Sequence, residues 1–255
     1  ERPEALVLQV PPYRKDVTRP ADAIEEVLRI YGFDKIPLPA RMNPTAQHQE
    51  GVAEESIRLQ LANVLVSRGF QEIMSNSMTR SSYTEDFGVQ SDGWDPSKRI
   101  ALMNPLSSDL GVMRQSLLFQ GLEAIAHNRN HQRPDLRFFE IGRVYEHKEN
   151  AENEATNASH RYTEKERIGL WQTGKTAPEN WNNAGHMATP YSIKSEVYAM
   201  LDGLGIASHA VKEATFQSAL FSEGIELTYQ NQSLGRLGLF RSEVAKKCGI
   251  NQPVF

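Results

Sequence analysis

Apolar side chains recur every three or four residues along several segments, and this spacing predicts amphipathic helices. The first follows Pro20, has an apolar stripe that ends at Tyr31, and is stopped by Gly32. Asp16 or Thr18 is expected to cap its start. The same spacing predicts helices at residues 53–68, 116–130 and 192–204, and a short one around Val244 and Ala245.

Short apolar runs and alternating segments predict strands. Alternation along 136–145 is expected to place Phe139 and Ile141 on one face with Arg137, Arg143 and Tyr145. The other predicted strands are 6–10, 70–78, 100–103, 168–173, 225–229 and 234–240.

The connections between these elements indicate the fold class. Asn231-Gln232-Ser233 is expected to join the last two strands as a hairpin. Residues 147–166 carry almost no apolar side chains and are predicted to form a solvated loop. Because strands dominate between the helices, the pattern predicts an α+β fold with an antiparallel sheet flanked by helices.

Prolines among polar residues at 37–50 indicate an inter-domain linker. We therefore place the C-terminal part of one domain at 1–40, the linker at 41–50 and a second domain at 51–255. The chain begins without methionine and ends in Pro253-Val254-Phe255, which resembles the start of a strand. Both ends are therefore expected to be cuts through a longer protein, with the second domain truncated at its C-terminus.

Composition narrows the function classes. The chain has 255 residues, of which 39% are hydrophobic, enough for a full core. Its net charge of −4 argues against a chain-wide cationic surface for nucleic acid. The single cysteine, Cys248, excludes an internal disulfide and a zinc cluster built on several thiolates, and it suits a reducing cytoplasm. No apolar run approaches the ~20 residues that a membrane-spanning helix needs.

Two motifs carry a family resemblance. The run SSDLGVMRQSLL at 107–118, with LRFFEIGRVYE at 136–146, resembles the beta subunit of bacterial phenylalanine–tRNA ligase. The segment VPPYRKDVTRPADAIEEVLRIYGFDKIP at 10–37 is the more specific signature and resembles the accessory domain before the synthetase-like core. The match extends more loosely over nearly the whole chain.

This resemblance implies a class II aminoacyl-tRNA synthetase-like core. In the family, an α2β2 heterotetramer activates phenylalanine with ATP and transfers it to tRNA(Phe), and the chemistry takes place in the alpha subunit. By resemblance, the beta core pairs with the alpha core and helps to position tRNA, while ATP binds only in the alpha subunit.

The phosphate-binding groups of a catalytic core are missing from the sequence. In the catalytic relative, an arginine follows a Gly-Arg-Val-Tyr run, whereas here Gly142-Arg143-Val144-Tyr145 is followed by Glu146. The later glycine-rich motif should end in an arginine, and neither 203–206 nor 235–238 has one in place. The sequence therefore predicts a non-catalytic core. The alternatives are a competent class II ligase and a stand-alone nucleic-acid-binding module.

Two charged residues of the core have a structural interpretation. Arg114 aligns with a substrate-side arginine of the catalytic relative. Without phosphate-binding partners, Arg114 is expected to form a structural or interface ion pair, and Glu140 is interpreted in the same way.

Four carboxylates near the first helix are candidate metal ligands: Asp16, Asp22, Glu25 and Glu26. The resemblance associates these positions with a Mg²⁺ ion shared with the alpha subunit, and carboxylate oxygens suit that ion. The alternative is that they complement the helix dipole and pair with Arg29. His127 and His131 are one helical turn apart, but no further ligand lies nearby in sequence, which favours surface solvation.

Residues 53–78 are predicted to form a subunit interface. In class II synthetases this helix-then-strand unit lies between subunits. The predicted strand 70–78 combines Met74 and Met78 with neutral polar residues such as Ser77. That composition suits a surface that another chain covers, so the segment is expected to contact the alpha subunit.

Overall fold

The computed structural model describes residues 7–37, 54–83, 95–105, 107–148 and 161–255. The chain divides into two compact units, residues 1–50 and 51–255. No helix within the described ranges is both long and apolar enough to cross a membrane.

The first unit contains helix α1, Pro20–Tyr31, followed by a short 3-10 helix, Phe33–Lys35. Gly32 ends α1 at φ 98°. The predicted cap was wrong, because the N-cap residue is Arg19. Asp22 takes the capping role from inside the helix, since its carboxylate accepts the backbone N–H groups of Thr18 (3.0 Å) and Arg19 (2.8 Å). The strand predicted at 6–10 is absent from its described part, 7–10, which has no regular structure.

The second unit contains four further helices in its described part. At the start of the second of them the N-cap residue is Leu117, and the preceding Ser116 hydroxyl accepts the backbone N–H of Leu118 at 3.2 Å. These helices are α2, Glu54–Ser67; α3, Leu118–Asn130; α4, Pro190–Gly203; and α5, Ser242–Lys247, with 3-10 helices at Pro96–Lys98, Ser108–Leu110 and Ser208–Ala210.

Eight strands complete the described part of this unit. They are β1, Gln71–Glu72; β2, Met78–Thr79; β3, Val112–Met113; β4, Leu136–His147; β5, Tyr162–Thr173; β6, Lys212–Thr215; β7, Phe221–Tyr229; and β8, Gln232–Phe240.

The two long strands β4 and β5 are antiparallel and paired from Leu136↔Thr173 to His147↔Tyr162. β1 adds to β4 in parallel, so the sheet β1–β4–β5 is mixed rather than purely antiparallel. A second sheet, β6–β7–β8, is antiparallel throughout. With helices packed on these sheets, the predicted α+β class is confirmed.

Several predicted strand limits were wrong. The 70–78 segment splits into β1 and β2, because β1 pairs with β4 whereas β2 pairs with β3 in a separate sheet. The 100–103 segment contributes only a single bridge, Ala101 to Val112. The predicted loop 147–166 is strand from Tyr162 onward, since pairing with β4 extends β5 beyond its buried residues. Residues 149–160 lie outside the described ranges.

The hairpin between β7 and β8 is tighter than expected. Its turn is Gln230-Asn231, with φ of 50° and 63°, rather than residues 231–233. Two positive φ values in a two-residue loop are typical of a type I′ turn, which matches the twist of the flanking strands.

The core lies on both faces of β4 and β5. On one face Phe138 and Trp171 pack with Phe119 of α3, and on the other Phe139 packs with Leu65 of α2. The predicted alternation along β4 is confirmed for Phe139 and Ile141, which share one cluster. Both faces are covered, which a half-buried pattern does not predict.

Trp171 is fully buried because two glycines leave room for its indole. A Cβ at Gly121 would lie 1.9 Å from the indole, and one at Gly169 would lie 2.5 Å from it. Real Cβ contacts are essentially never that short, so a side chain at either position would displace the ring. The last residues extend the sheet, since Gln172 and Phe255 exchange backbone hydrogen bonds of 2.9 and 3.0 Å.

Candidate functional site

The first functional candidate, Arg114, lies in a buried junction between β3 and β4. Its Nη1 donates to Glu140 Oε1 at 2.7 Å, and the side chains of both residues are 3% exposed. Arg114 Nε also donates to the Arg143 carbonyl at 2.9 Å. The other carboxylate oxygen of Glu140 accepts the Ser75 hydroxyl. The expected ion pair is confirmed.

Gly142 makes this junction possible. A Cβ at Gly142 would lie 2.4 Å from Arg114 Nη2 and 2.9 Å from Glu140 Oε1. The Gly-Arg-Val-Tyr run therefore begins with a glycine because a guanidinium lies against it. Arg143, the next residue, points to the opposite face of β4 and forms an exposed ion pair of 3.0 Å with Glu164.

The second candidate, Glu146, lines a cleft of about 490 Å³ between β4, β5 and the β7–β8 hairpin. Its carboxylate accepts Lys165 Nζ at 3.3 Å from the facing strand. Arg236 in the same cleft lies 3.5 Å from Glu226. Arg167 also lines the cleft. Two of the cleft's three cations, Lys165 and Arg236, are thus paired with carboxylates.

The two glycine-rich runs have structural roles. Gly205 follows α4 at φ 78°, a conformation that favours glycine. Gly238 lies in β8, where a Cβ would be 2.2 Å from the Glu223 carbonyl of the paired strand. Gly205 and Gly238 therefore serve a turn and close strand packing, respectively.

The four carboxylates of the predicted Mg²⁺ site each have partners in the first unit. Arg14 bridges Asp16 (2.8 Å) and Glu26 (2.6 Å), and Arg29 lies 3.4 Å from Glu25. Asp22 pairs with Arg19 at 3.1 Å. The Arg19 side chain and the backbone N–H groups of Thr18 and Arg19 lower the pKa of Asp22 to about 2.

The donor type fits a hard cation, but the arrangement does not form a site within this chain alone. Among the described residues, no group of three or more histidine, cysteine, aspartate or glutamate side chains could hold a metal ion. The Mg²⁺ assignment stays a prediction. His127 and His131 are both at the surface near the end of α3 and contact each other, with ring centroids 4.5 Å apart. Their interpretation as surface residues is confirmed.

The predicted interface segment is exposed on one side. Met74 is 92% exposed between β1 and β2. In α2, Leu65 is fully buried, but Ile57, which the pattern places on the buried face, is exposed. Helix α2 therefore presents apolar side chains to the surface at Ile57, Leu59 and Val66.

Some residues of these sites carry no signal in the sequence. Lys165 is one charge in a polar run, and only its register opposite Val144 places it near Glu146. Gln120 and Thr79 are buried polar residues whose positions resemble ordinary helix and strand residues. No rule of residue spacing predicts that Lys165 lies near Glu146, or that Gln120 and Thr79 line the same cleft.

Two protein families match this chain and show which family it belongs to. Residues 38–255 match the phenylalanyl tRNA synthetase beta chain CLM domain, and residues 1–33 match the tRNA synthetase B5 domain. The chain belongs to the phenylalanyl-tRNA synthetase beta chain family. The resemblance in its motifs is thereby confirmed.

Relatives in this family include the phenylalanine–tRNA ligase beta subunit of Bacteroides fragilis, which is 36% identical over 259 residues. The alignment covers 100% of this chain and 31% of that protein. The beta subunit of Porphyromonas gingivalis is 34% identical over 258 residues, again covering 100% of this chain and 31% of the relative. The chain thus spans about a third of the length of these beta chains.

A solved structure shows the fold independently. Pyrrolysyl-tRNA synthetase from Desulfitobacterium hafniense superposes with a TM-score of 0.57 at 14% identity, covering 92% of this chain and 70% of that one. This likeness shows that this chain has the fold of a class II tRNA synthetase.

Proposed function

We propose that this chain is the non-catalytic synthetase-like core of a phenylalanine–tRNA ligase beta subunit. It pairs with the catalytic alpha subunit in an α2β2 assembly that attaches phenylalanine to tRNA(Phe) in the cytoplasm, and it helps to position the tRNA. The observation that carries this proposal is the ion pair of Glu146 with Lys165, in the position where a catalytic core needs an unpaired arginine.

Electrostatics support the lack of catalysis. At about 4 Å and an effective dielectric constant of about 20, two unit charges interact by about 4 kcal/mol. Replacing an arginine by Glu146 therefore changes attraction for the ATP α-phosphate into repulsion. ATP-dependent activation of phenylalanine by the purified chain would contradict this part of the proposal.

The pairing surface is proposed at residues 53–78, and the exposed apolar side chains of its described part support this. A lysine at Met74 would place a charge where the partner chain covers the surface, and burying an unpaired charge is costly. Met74→Lys and Ser77→Glu in the full-length beta subunit should each weaken its association with the alpha subunit about tenfold or more, measured by analytical ultracentrifugation.

Met103→Lys is the matched control, because Met103 is as exposed as Met74 and lies outside this segment. The control should leave association unchanged. The two lysine variants should unfold within about 2 °C of the unaltered protein, since Met74 and Met103 are exposed and exposed substitutions rarely change stability. Normal tetramer assembly by both segment variants would place the interface elsewhere.

We also propose that Asp16, Asp22, Glu25 and Glu26 supply carboxylate oxygens to a Mg²⁺ ion that the alpha subunit helps to bind. Their donor type and their surface positions support this, because a partner chain could reach them. Bound there, the ion would neutralise the negative charge of these carboxylates and link the two subunits.

A further inference from the structure

A second cleft, distinct in all its lining residues from the one at Glu146, lies between residues 73–83 and α3. We call it the α3 cleft. It has a volume of about 910 Å³ and is lined by both polar and apolar side chains. Lys247 and Cys248, at the end of α5, also line it.

Two buried polar side chains line this cleft without a hydrogen-bond partner in the described part of the chain. Gln120 is 5% exposed, and both its amide oxygen and its amide nitrogen are unpaired. Thr79 is 3% exposed, and its hydroxyl is unpaired. Buried polar groups in folded proteins almost always have partners, so two exceptions in one cleft require an explanation.

Neither residue can easily turn away from the cleft. The backbone of Thr79 is paired with Val112 in the β2–β3 ladder. Gln120 lies in the first turn of α3 between Phe119 and Gly121, which are both buried. The unpaired groups are therefore held at their positions by the surrounding fold.

The wall of the cleft is ordered before any partner binds. The Tyr83 ring stacks on Phe119 with centroids 4.4 Å apart, and its hydroxyl donates to Glu123. Burial, followed by this hydrogen bond to the carboxylate, raises the pKa of Tyr83 above its ordinary value. The tyrosine therefore stays a neutral donor that ties residues 73–83 to α3.

The charges of the cleft argue against a phosphate backbone as its occupant. Arg80 Nε lies 3.5 Å from Asp109 and 3.9 Å from Glu123. Lys247 is the other cation among the charged lining residues, so two cations balance two carboxylates. Nucleic-acid affinity comes largely from unbalanced cations, and this cleft has none in excess.

The remaining chemistry fits a peptide. The Gln120 amide and the Thr79 hydroxyl, which both line this cleft, offer donors and acceptors that match the N–H and C=O of a main-chain peptide group. Met74 and Met78 supply thioether side chains, which adapt to varied apolar partners. Ile73 and Leu110 add further apolar surface.

We propose that the α3 cleft receives an extended segment of the partner subunit, whose main-chain amide hydrogen-bonds to Gln120 and Thr79. The identity of the partner as the alpha subunit rests on the proposed function. The cleft adds to the proposed function a recognition site that binds the partner through hydrogen bonds to its peptide backbone rather than through charge.

The test replaces both polar groups by apolar groups of similar shape, Thr79→Val with Gln120→Leu, in the full-length beta subunit. If the groups are unpaired in the free subunit, their removal relieves a desolvation cost, so the unfolding temperature stays the same or rises. The dissociation constant for the alpha subunit should rise about tenfold or more, because the partner's peptide group loses its hydrogen bonds. Thr215→Val on the exposed strand β6 is the matched control and should change neither value.

Each other result overturns the proposal. Unchanged alpha-subunit affinity would show that the cleft is not used. The proposed function would still stand if Ser77→Glu weakened assembly, because Ser77 is not among the residues that line the cleft. A markedly lower unfolding temperature would show that the two groups have partners within the beta subunit. Weaker tRNA binding with unchanged alpha-subunit affinity, measured by fluorescence anisotropy, would assign the cleft to nucleic acid.

Discussion

Two ion pairs on the same face of strand β4 combine the same kinds of charged group but differ in how far they are buried. Glu140 pairs with Arg114, and both side chains are 3% exposed. Glu140 also accepts a hydrogen bond from the Ser75 hydroxyl, and Arg114 also donates one to the Arg143 carbonyl. Glu146, six positions along, pairs with Lys165 where the side chains are 27% and 46% exposed. Burial therefore decides which pair the fold depends on, and residue type does not.

The buried pair gives the largest expected effect. Glu140→Gln would leave the Arg114 guanidinium in the core without a countercharge, and losing one partner of a buried pair costs about 3–5 kcal/mol. Urea unfolding should show that loss in the free energy of unfolding. Removing both charges, in Arg114→Met with Glu140→Leu, should cost clearly less, because no unpaired charge remains.

The double variant is the decisive control. If it were as unstable as Glu140→Gln, the hydrogen bonds to Ser75 and Arg143, rather than charge compensation, would be the main contribution of the junction. A single-variant loss below about 1 kcal/mol would mean that water reaches the guanidinium.

The exposed pair gives a smaller effect from the same chemical change. Glu146→Gln should lower the free energy of unfolding by less than about 1 kcal/mol, because exposed ion pairs contribute little. The comparison with Glu140→Gln is matched in strand, face and substitution. An equal loss at both positions would show that the Glu146 cleft is as structural as the buried junction.

The acidic residues of α1 provide a third comparison. They lie on the surface of the first unit, so replacing them is expected to leave the stability of the second unit's core unchanged. Glu25→Ala with Glu26→Ala should change the Mg²⁺ dependence of aminoacylation by the reconstituted holoenzyme and leave the unfolding of the core unchanged. Glu223→Ala with Glu243→Ala, at two exposed acids of the second unit outside the proposed pairing surface, is the matched control. An unchanged Mg²⁺ titration would favour the alternative that these residues pair only with arginines.

Helix positions and the fold class could be predicted because they depend on local rules. The spacing of Leu118, Leu122 and Ile125 identified α3, and glycines marked helix ends. The residues after Gly142 also indicated the family and the lost phosphate contact, because both follow from the order of residues within one short motif.

Strand limits were less predictable, because they depend on pairing between distant residues. The polar run Glu164-Lys165-Glu166 lies in β5 only because β4 supplies a partner along its whole length. β6, whose four residues are all exposed, was not predicted at all for the same reason. The Arg19 cap was missed since Asp22 reaches back to the chain before the helix.

The sequence by itself determined the family and the α+β class, because each depends on residue identity at a fixed place in a motif or on the spacing of apolar residues. Only the tertiary structure decided that Arg114 lies buried against Glu140, that Lys165 neutralises Glu146, and that Gln120 and Thr79 share one cleft. The physical reason is that burial and pairing depend on which distant segments meet, and residue spacing does not encode that.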